Sequence, residues 1–120
     1  DVANSQLGQT IAKSFTHNPS ASTVSIGSGK YYTVVGEQMN WTYFSTSTRA
    51  WKVFQNLPSH IFDGVNTAFM QQQMSQGKEF VSSISDFPGR GYLMEKSLLH
   101  LWGYIENVVV KQSTIFRLPK

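Results

Sequence analysis

Cysteine is absent from this 120-residue chain. That one absence removes disulfides, thiolate nucleophiles and most zinc sites. A domain without disulfides can be unfolded and passed through a membrane with no redox step, and many cytosolic proteins equally lack Cys. No long apolar run and no signal-like segment is present, so no membrane span is expected. Charge is sparse, at 14% of residues, with 10 basic side chains against 7 acidic, for a net +3. The pI near 9.3 is compatible with RNA or another anionic partner, and equally with a mildly basic surface whose charges are dispersed. No internal repeat or low-complexity segment interrupts the sequence. A chain opening on Asp1 rather than Met is expected of a processed product or an excised domain.

What is present is globular. Hydrophobic residues make up 40%, including 8 Phe, 5 Tyr and 3 Trp, enough for one domain spanning 1–120. Leu7, Ile11, Ala12 and Phe15 predict a short amphipathic helix over about 5–16, so that 1–17 reads as a separable N-terminal arm. The polar stretch 18–25 reads as a linker. Thr23–Ile26 and Lys30–Val35 read as strands around a Gly27-Ser28-Gly29 hairpin turn, and Trp41–Thr46 as a third. Ser47 or Thr48 is placed to cap a helix carrying Trp51, Val53 and Phe54.

Asn56-Leu57-Pro58-Ser59 predicts a helix start, with a capping residue on either side of a first-turn proline. Ile61, Phe62, Val65, Phe69, Met70 and Met74 form its buried stripe, Gln71–Gln73 lie in solvent, and Gly77 stops it. Lys78–Ser85 reads as a strand and 86–91 as a loop. Tyr92–Trp102 reads as a helix burying Met94, Leu98, Leu101 and Trp102. A hairpin of 104–111 and 114–118 closes the chain. The expectation is an α+β fold, a mainly antiparallel sheet with packed helices, like the small microbial ribonucleases.

Gly27-Ser28-Gly29-Lys30 resembles the end of a phosphate loop. The first glycine of that motif is missing, and Tyr31 stands where Ser or Thr is needed, so a turn is the better reading. No two of His17, His60 and His100 share metal-ligand spacing, so neither metal nor cofactor is expected. A metal-independent ribonuclease needs a base for the ribose 2′-hydroxyl, an acid for the leaving oxygen, and donors for the charge on phosphorus. His17 or His60, with Glu37, are the candidate proton-transfer groups. Arg49 beside the hydroxyls Thr46, Ser47 and Thr48 is the candidate phosphate holder, with Lys30 and Arg90 as further cations. His60 in a first helical turn reads equally as a surface residue. Arg90 reads equally as a solvated loop cation, and the 45–48 hydroxyls as capping groups.

From Arg49 onward the chain resembles C-terminal toxin domains of bacterial polymorphic and contact-dependent growth-inhibition systems. The resemblance rests on Trp51, Asn56-Leu57-Pro58, Gly77-Lys78-Glu79-Phe80, Pro88-Gly89, Tyr92, Glu95, Leu99, Gly103-Tyr104 and Leu118-Pro119. It implies an effector, secreted or displayed on a cell surface, that acts in the cytoplasm of a target bacterium. Such effectors are commonly nucleases on transfer RNA, neutralised by an immunity protein and in some cases dependent on a host factor. The run Tyr43-Phe44-Ser45-Thr46-Ser47 also resembles the aromatic-x-Ser-Thr-Ser strand of ADP-ribosyltransferase toxins. That family wants an earlier Arg, where Lys30 stands, and a Q/E-x-E motif that Glu79, Glu95 and Glu106 do not form. A non-catalytic binding module is the third reading.

Overall fold

A computed structural model describes residues 1–27, 31–83, 90–110 and 113–118. The order is α1 (Gln6–Ser14), β1 (Thr16–His17), β2 (Thr23–Gly27), α2 (Tyr31–Met39), β3 (Tyr43–Phe44), α3 (Thr48–Gln55), α4 (Ser59–Met74), β4 (Glu79–Ser83), α5 (Arg90–Leu101), β5 (Ile105–Val110) and β6 (Ser113–Arg117). Strands β2-β4-β6-β5 form one sheet, and β1 pairs with β3 in a separate ribbon. Three of the four strand pairings are antiparallel, and β2 runs parallel to β4. The fold is a small α+β domain, as the sequence predicts. Among the described residues no helix is long and apolar enough to cross a membrane.

Burial explains the elements. α1 turns Ala12 fully inward, and Ser5 caps it by accepting from the Gly8 N–H. α4 buries Val65, Ala68, Phe69, Met70 and Met74 at helical spacing. These meet Val24 and Ile26 of β2, Phe80 of β4 and Phe116 of β6 in one core. Gly77 adopts φ +69° and Gly103 φ +88° just past α4 and α5, the left-handed positions that glycine fills without strain.

The expected strand 30–35 is instead the start of α2. Tyr31, Tyr32, Val34 and Val35 have strand propensity, yet the chain is inward at Tyr32, Val35 and Gly36 and outward at Val34 and Glu37. That is a helical period, and packing decides over propensity. Gly27, expected in a hairpin turn, ends β2 opposite Ser83, where an added Cβ would collide with the Ser83 carbonyl oxygen. Ser28 and Gly29 lie outside the described residues.

The third strand shrinks to Tyr43–Phe44, extended by Thr42, which bridges Val24 in parallel. Pro58 occupies the N-cap position of α4 with no side-chain cap, while the Asn56 amide donates to Lys52 O and closes α3. The buried face of α5 is Tyr92, Glu95 and Leu99, whereas Leu101 is 81% exposed and Trp102 44%. The inward stripe is therefore rotated from the one expected, and it carries a carboxyl group into the core. Gln73, expected in solvent, is buried.

Candidate functional site: a corner between β1, β3 and α3

The β1–β3 ribbon sets His17 opposite Tyr43. Their rings stack at 4.6 Å between centroids with 4° between planes. His17 Nε2 lies 3.3 Å from the Ser45 carbonyl oxygen, which acts as acceptor when Nε2 carries the proton. The Ser45 N–H donates to Phe15 O at 3.1 Å, so both strands are pinned beside the imidazole. On α2, a Cβ at Gly36 would approach Tyr43 Cδ1 to 2.6 Å, so only glycine lets that helix pass so near the ring. Glu37 follows it, exposed.

Immediately after β3 the chain turns into α3. Ser47 adopts extended dihedrals and its Oγ accepts from the Ala50 N–H at 3.1 Å. The capping reading of Ser47 therefore holds, and it positions Thr48 and Arg49 in the first turn. Both are exposed, Thr46 half-buried behind them. The helix N-terminus adds partial positive charge beside the guanidinium. Beneath the corner, Phe44 is buried and meets Phe15, Phe62 and Phe69, with Phe44–Phe69 centroids 5.3 Å apart. Trp51 and Phe54 of α3 both lie edge-on to Phe62, at 5.1 and 5.3 Å. Rigid aromatic packing thus fixes α3 relative to β3.

The ribbon sets His17 against Tyr43 and the Ser45 carbonyl, and Thr46, Ser47, Thr48 and Arg49 follow directly in the chain. Glu37 sits on α2, one residue beyond the glycine that touches Tyr43. His60 stands exposed at the second position of α4, beyond the C-terminal end of α3, whereas Arg49 lies at its N-terminal end. The two ends of an eight-residue helix are roughly 12 Å apart. Arg90 opens α5, away from this ribbon in the chain's topology. Lys30 lies outside the described residues, as does Lys111. His100 is exposed with its ring 5.9 Å from Phe116. Arg117 is paired with Glu79 across β4 and β6, Nε to Oε2 3.0 Å. Among the described residues, no three His, Asp or Glu side chains are grouped as a metal site needs.

A second polar cluster escaped sequence reasoning because it is buried. Glu95 of α5 is 8% exposed, and loss of hydration pushes its carboxyl up to about 8, with a hydrogen bond from the Asn66 side chain opposing that rise. Tyr32 of α2 is pushed up to about 12, by burial first and the Glu95 charge second, while its hydroxyl donates to Phe44 O at 2.9 Å. Tyr92 donates to Ser82 Oγ at 3.3 Å. Lys78 is also buried, its Nζ donating to Pro19 O at 2.7 Å and Thr42 Oγ1 at 3.4 Å, and burial lowers its pKa. These groups are enclosed and tied to protein atoms. His17 and Arg49, by contrast, are exposed.

Neither a protein-family model, nor a curated protein, nor a solved structure matches this chain. The corner's own geometry therefore carries the chemical reading. It offers an imidazole beside the Ser45 carbonyl, with hydroxyls, a helix N-terminus and a guanidinium in the four residues that follow Ser45.

Proposed function

We propose that the chain is the toxin domain of a bacterial antagonism system, acting as a metal-independent endoribonuclease on transfer RNA or other structured RNA. The observation that carries this reading is the His17–Tyr43 stack beside the Ser45 carbonyl, next to the capped first turn holding Arg49.

With Nε2–H directed at Ser45 O, Nδ1 of the neutral ring keeps the lone pair that accepts a proton. His17 takes the proton of a ribose 2′-hydroxyl, and the 2′-oxygen attacks phosphorus. Arg49, Thr46 and Thr48 meet the non-bridging oxygens as charge builds on them. The bond to the 5′-oxygen breaks, that oxygen takes a proton, and a 2′,3′-cyclic phosphate remains. Glu37 is the second proton-transfer group. His17 is taken as the base because the Ser45 carbonyl orients its ring.

In this reading the domain is secreted or displayed, enters a target bacterium, works in its cytoplasm and is neutralised by a cognate immunity protein. A host factor in the target cell is a further partner. The positive net charge supports an anionic substrate.

The test is incubation with total bacterial transfer RNA in EDTA, alone and with target-cell extract, analysed for cyclic phosphate ends. Cleavage by the wild type is expected, with a loss of at least about a hundredfold in His17→Ala and Arg49→Ala. RNA left intact in both arms sinks the reading. Consumption of NAD with RNA intact would support a transferase in its place.

A further inference from the structure

We infer that the groove between α1 and α4 seats an unpaired base of the RNA substrate, a subsite separate from the phosphate corner. This rests on the RNA-cleaving reading above and adds the part of the substrate that is recognised.

Two adjoining recesses, of about 400 and 490 Å³, share Lys13, Gln72 and Ser75 and so form one groove. Each is within the size range of small-molecule sites. One end is bounded by Trp102, the other by Thr16 and Pro19. Amide side chains dominate the walls, among them Gln9, Gln71, Gln72 and Gln76. Lys13 is the cation, and among the described lining residues there is no carboxylate. The Gln72 amide donates to Gln9 O at 3.0 Å and the Gln76 amide to Gln72 O at 3.1 Å, which fixes both orientations.

Gln73 is the independent sign of a ligand. It lines the groove, is only 3% exposed, and its Oε1 has no hydrogen-bond partner. A buried acceptor without a donor is rare in folded proteins. That oxygen is itself enclosed, and turning the amide toward the groove lets it accept from an N–H on a bound molecule.

The lining chemistry selects among ligands. Carboxamides offer donor and acceptor side by side, as base edges do. An indole at the groove end is a stacking platform for a base, and Trp102 is 44% exposed. Lys13 suits a backbone phosphate. An oligosaccharide would favour carboxylate acceptors for its hydroxyls, and the described lining has none. Position argues the same way: Thr16 closes the groove and His17 is its neighbour in β1.

Fluorescence anisotropy with end-labelled single-stranded and double-stranded RNA of equal length tests the inference. Trp102→Ala is expected to weaken single-strand binding about five- to fiftyfold and leave duplex binding unchanged. Gln73→Leu, which removes the orphaned acceptor, is expected to weaken it severalfold while thermal stability holds or rises. Arg49→Ala is expected to weaken both RNA forms. If Arg49→Ala weakens binding while Trp102→Ala and Gln73→Leu bind single strands like the wild type, the base subsite is wrong and the RNA reading stands. If the wild type binds neither RNA and cleaves none, both are wrong. Quenching of Trp102 by an oligosaccharide and not by RNA also overturns the subsite.

Discussion

In the four-stranded sheet, Ser25 and Ser82 are buried, and each hydroxyl meets a protein partner: Tyr32 O at 2.6 Å and the Tyr92 hydroxyl at 3.3 Å. In the β1–β3 ribbon and the turn after it, His17, Ser47, Thr48 and Arg49 face solvent. The same residue chemistry thus serves two purposes. Such buried hydroxyls are committed to the fold, because an enclosed group without a partner loses its hydration for nothing, and Gln73 Oε1 stands out against that rule. Exposed ones such as Thr48 and Arg49 stay accessible to solvent on a rigid base. The contrast says where to look for stability and where to look for activity, and substitutions on each side should separate the two.

Phe69→Ala should have the largest effect on stability. Phe69 is fully buried and meets Phe44 from below the corner. Its loss is expected to cost about 3–5 kcal/mol in denaturant unfolding. A variant that keeps its stability would mean that the aromatic floor does not hold the ribbon.

Glu95→Gln probes the buried side by pH. The folded carboxyl titrates at about 8, above its ordinary 4.5. Its contribution is therefore fully present below pH 4.5 and is lost as pH rises through 8. At pH 7 the ionised unfolded state is favoured by on the order of 3 kcal/mol. The wild type should lose stability between pH 5 and 8 more steeply than Glu95→Gln. Parallel slopes in urea melts across that range would show that Glu95 is not held neutral.

Lys78→Met removes the two donated bonds that tie Pro19 O and Thr42 Oγ1 to the start of β4. A loss of about 1–3 kcal/mol in thermal melts is expected, because the Pro19 carbonyl loses its buried donor. Smaller still, Ser47→Ala should cost about 1 kcal/mol through the lost cap. Arg49→Ala should change stability by less than about 0.5 kcal/mol while abolishing RNA cleavage. If Arg49→Ala instead unfolds the domain, the division between the two regions fails.

Much of the frame was legible in the residues. The stripe through Val65, Phe69 and Met74 announces α4, Gly77 its end, and Ser47 the start of α3. What failed did so for physical reasons. α2 carries Val34 and Val35, whose branching favours strands in isolation, and only its seat against Tyr43 makes the helix the better solution. Glu95 and Gln73 lie on inward faces that polarity argues should be outward, and no local signal marks a buried polar residue. At the site, Arg49 among hydroxyls was visible. The stacking of His17 on Tyr43 depends on an antiparallel pairing between distant segments, which local sequence does not encode. That pairing sets the imidazole beside the Ser45 carbonyl, four residues before Arg49.

The parallel ladder between β2 and β4 has a kinetic consequence. It joins Thr23–Gly27 to Glu79–Ser83 across α2, α3 and α4. Closing so long a loop costs entropy before any contact of the ladder forms. The helices between can nucleate locally, so the central sheet is expected to assemble late. A chain that enters a compartment unfolded would then form its helix-rich middle first and complete its core last.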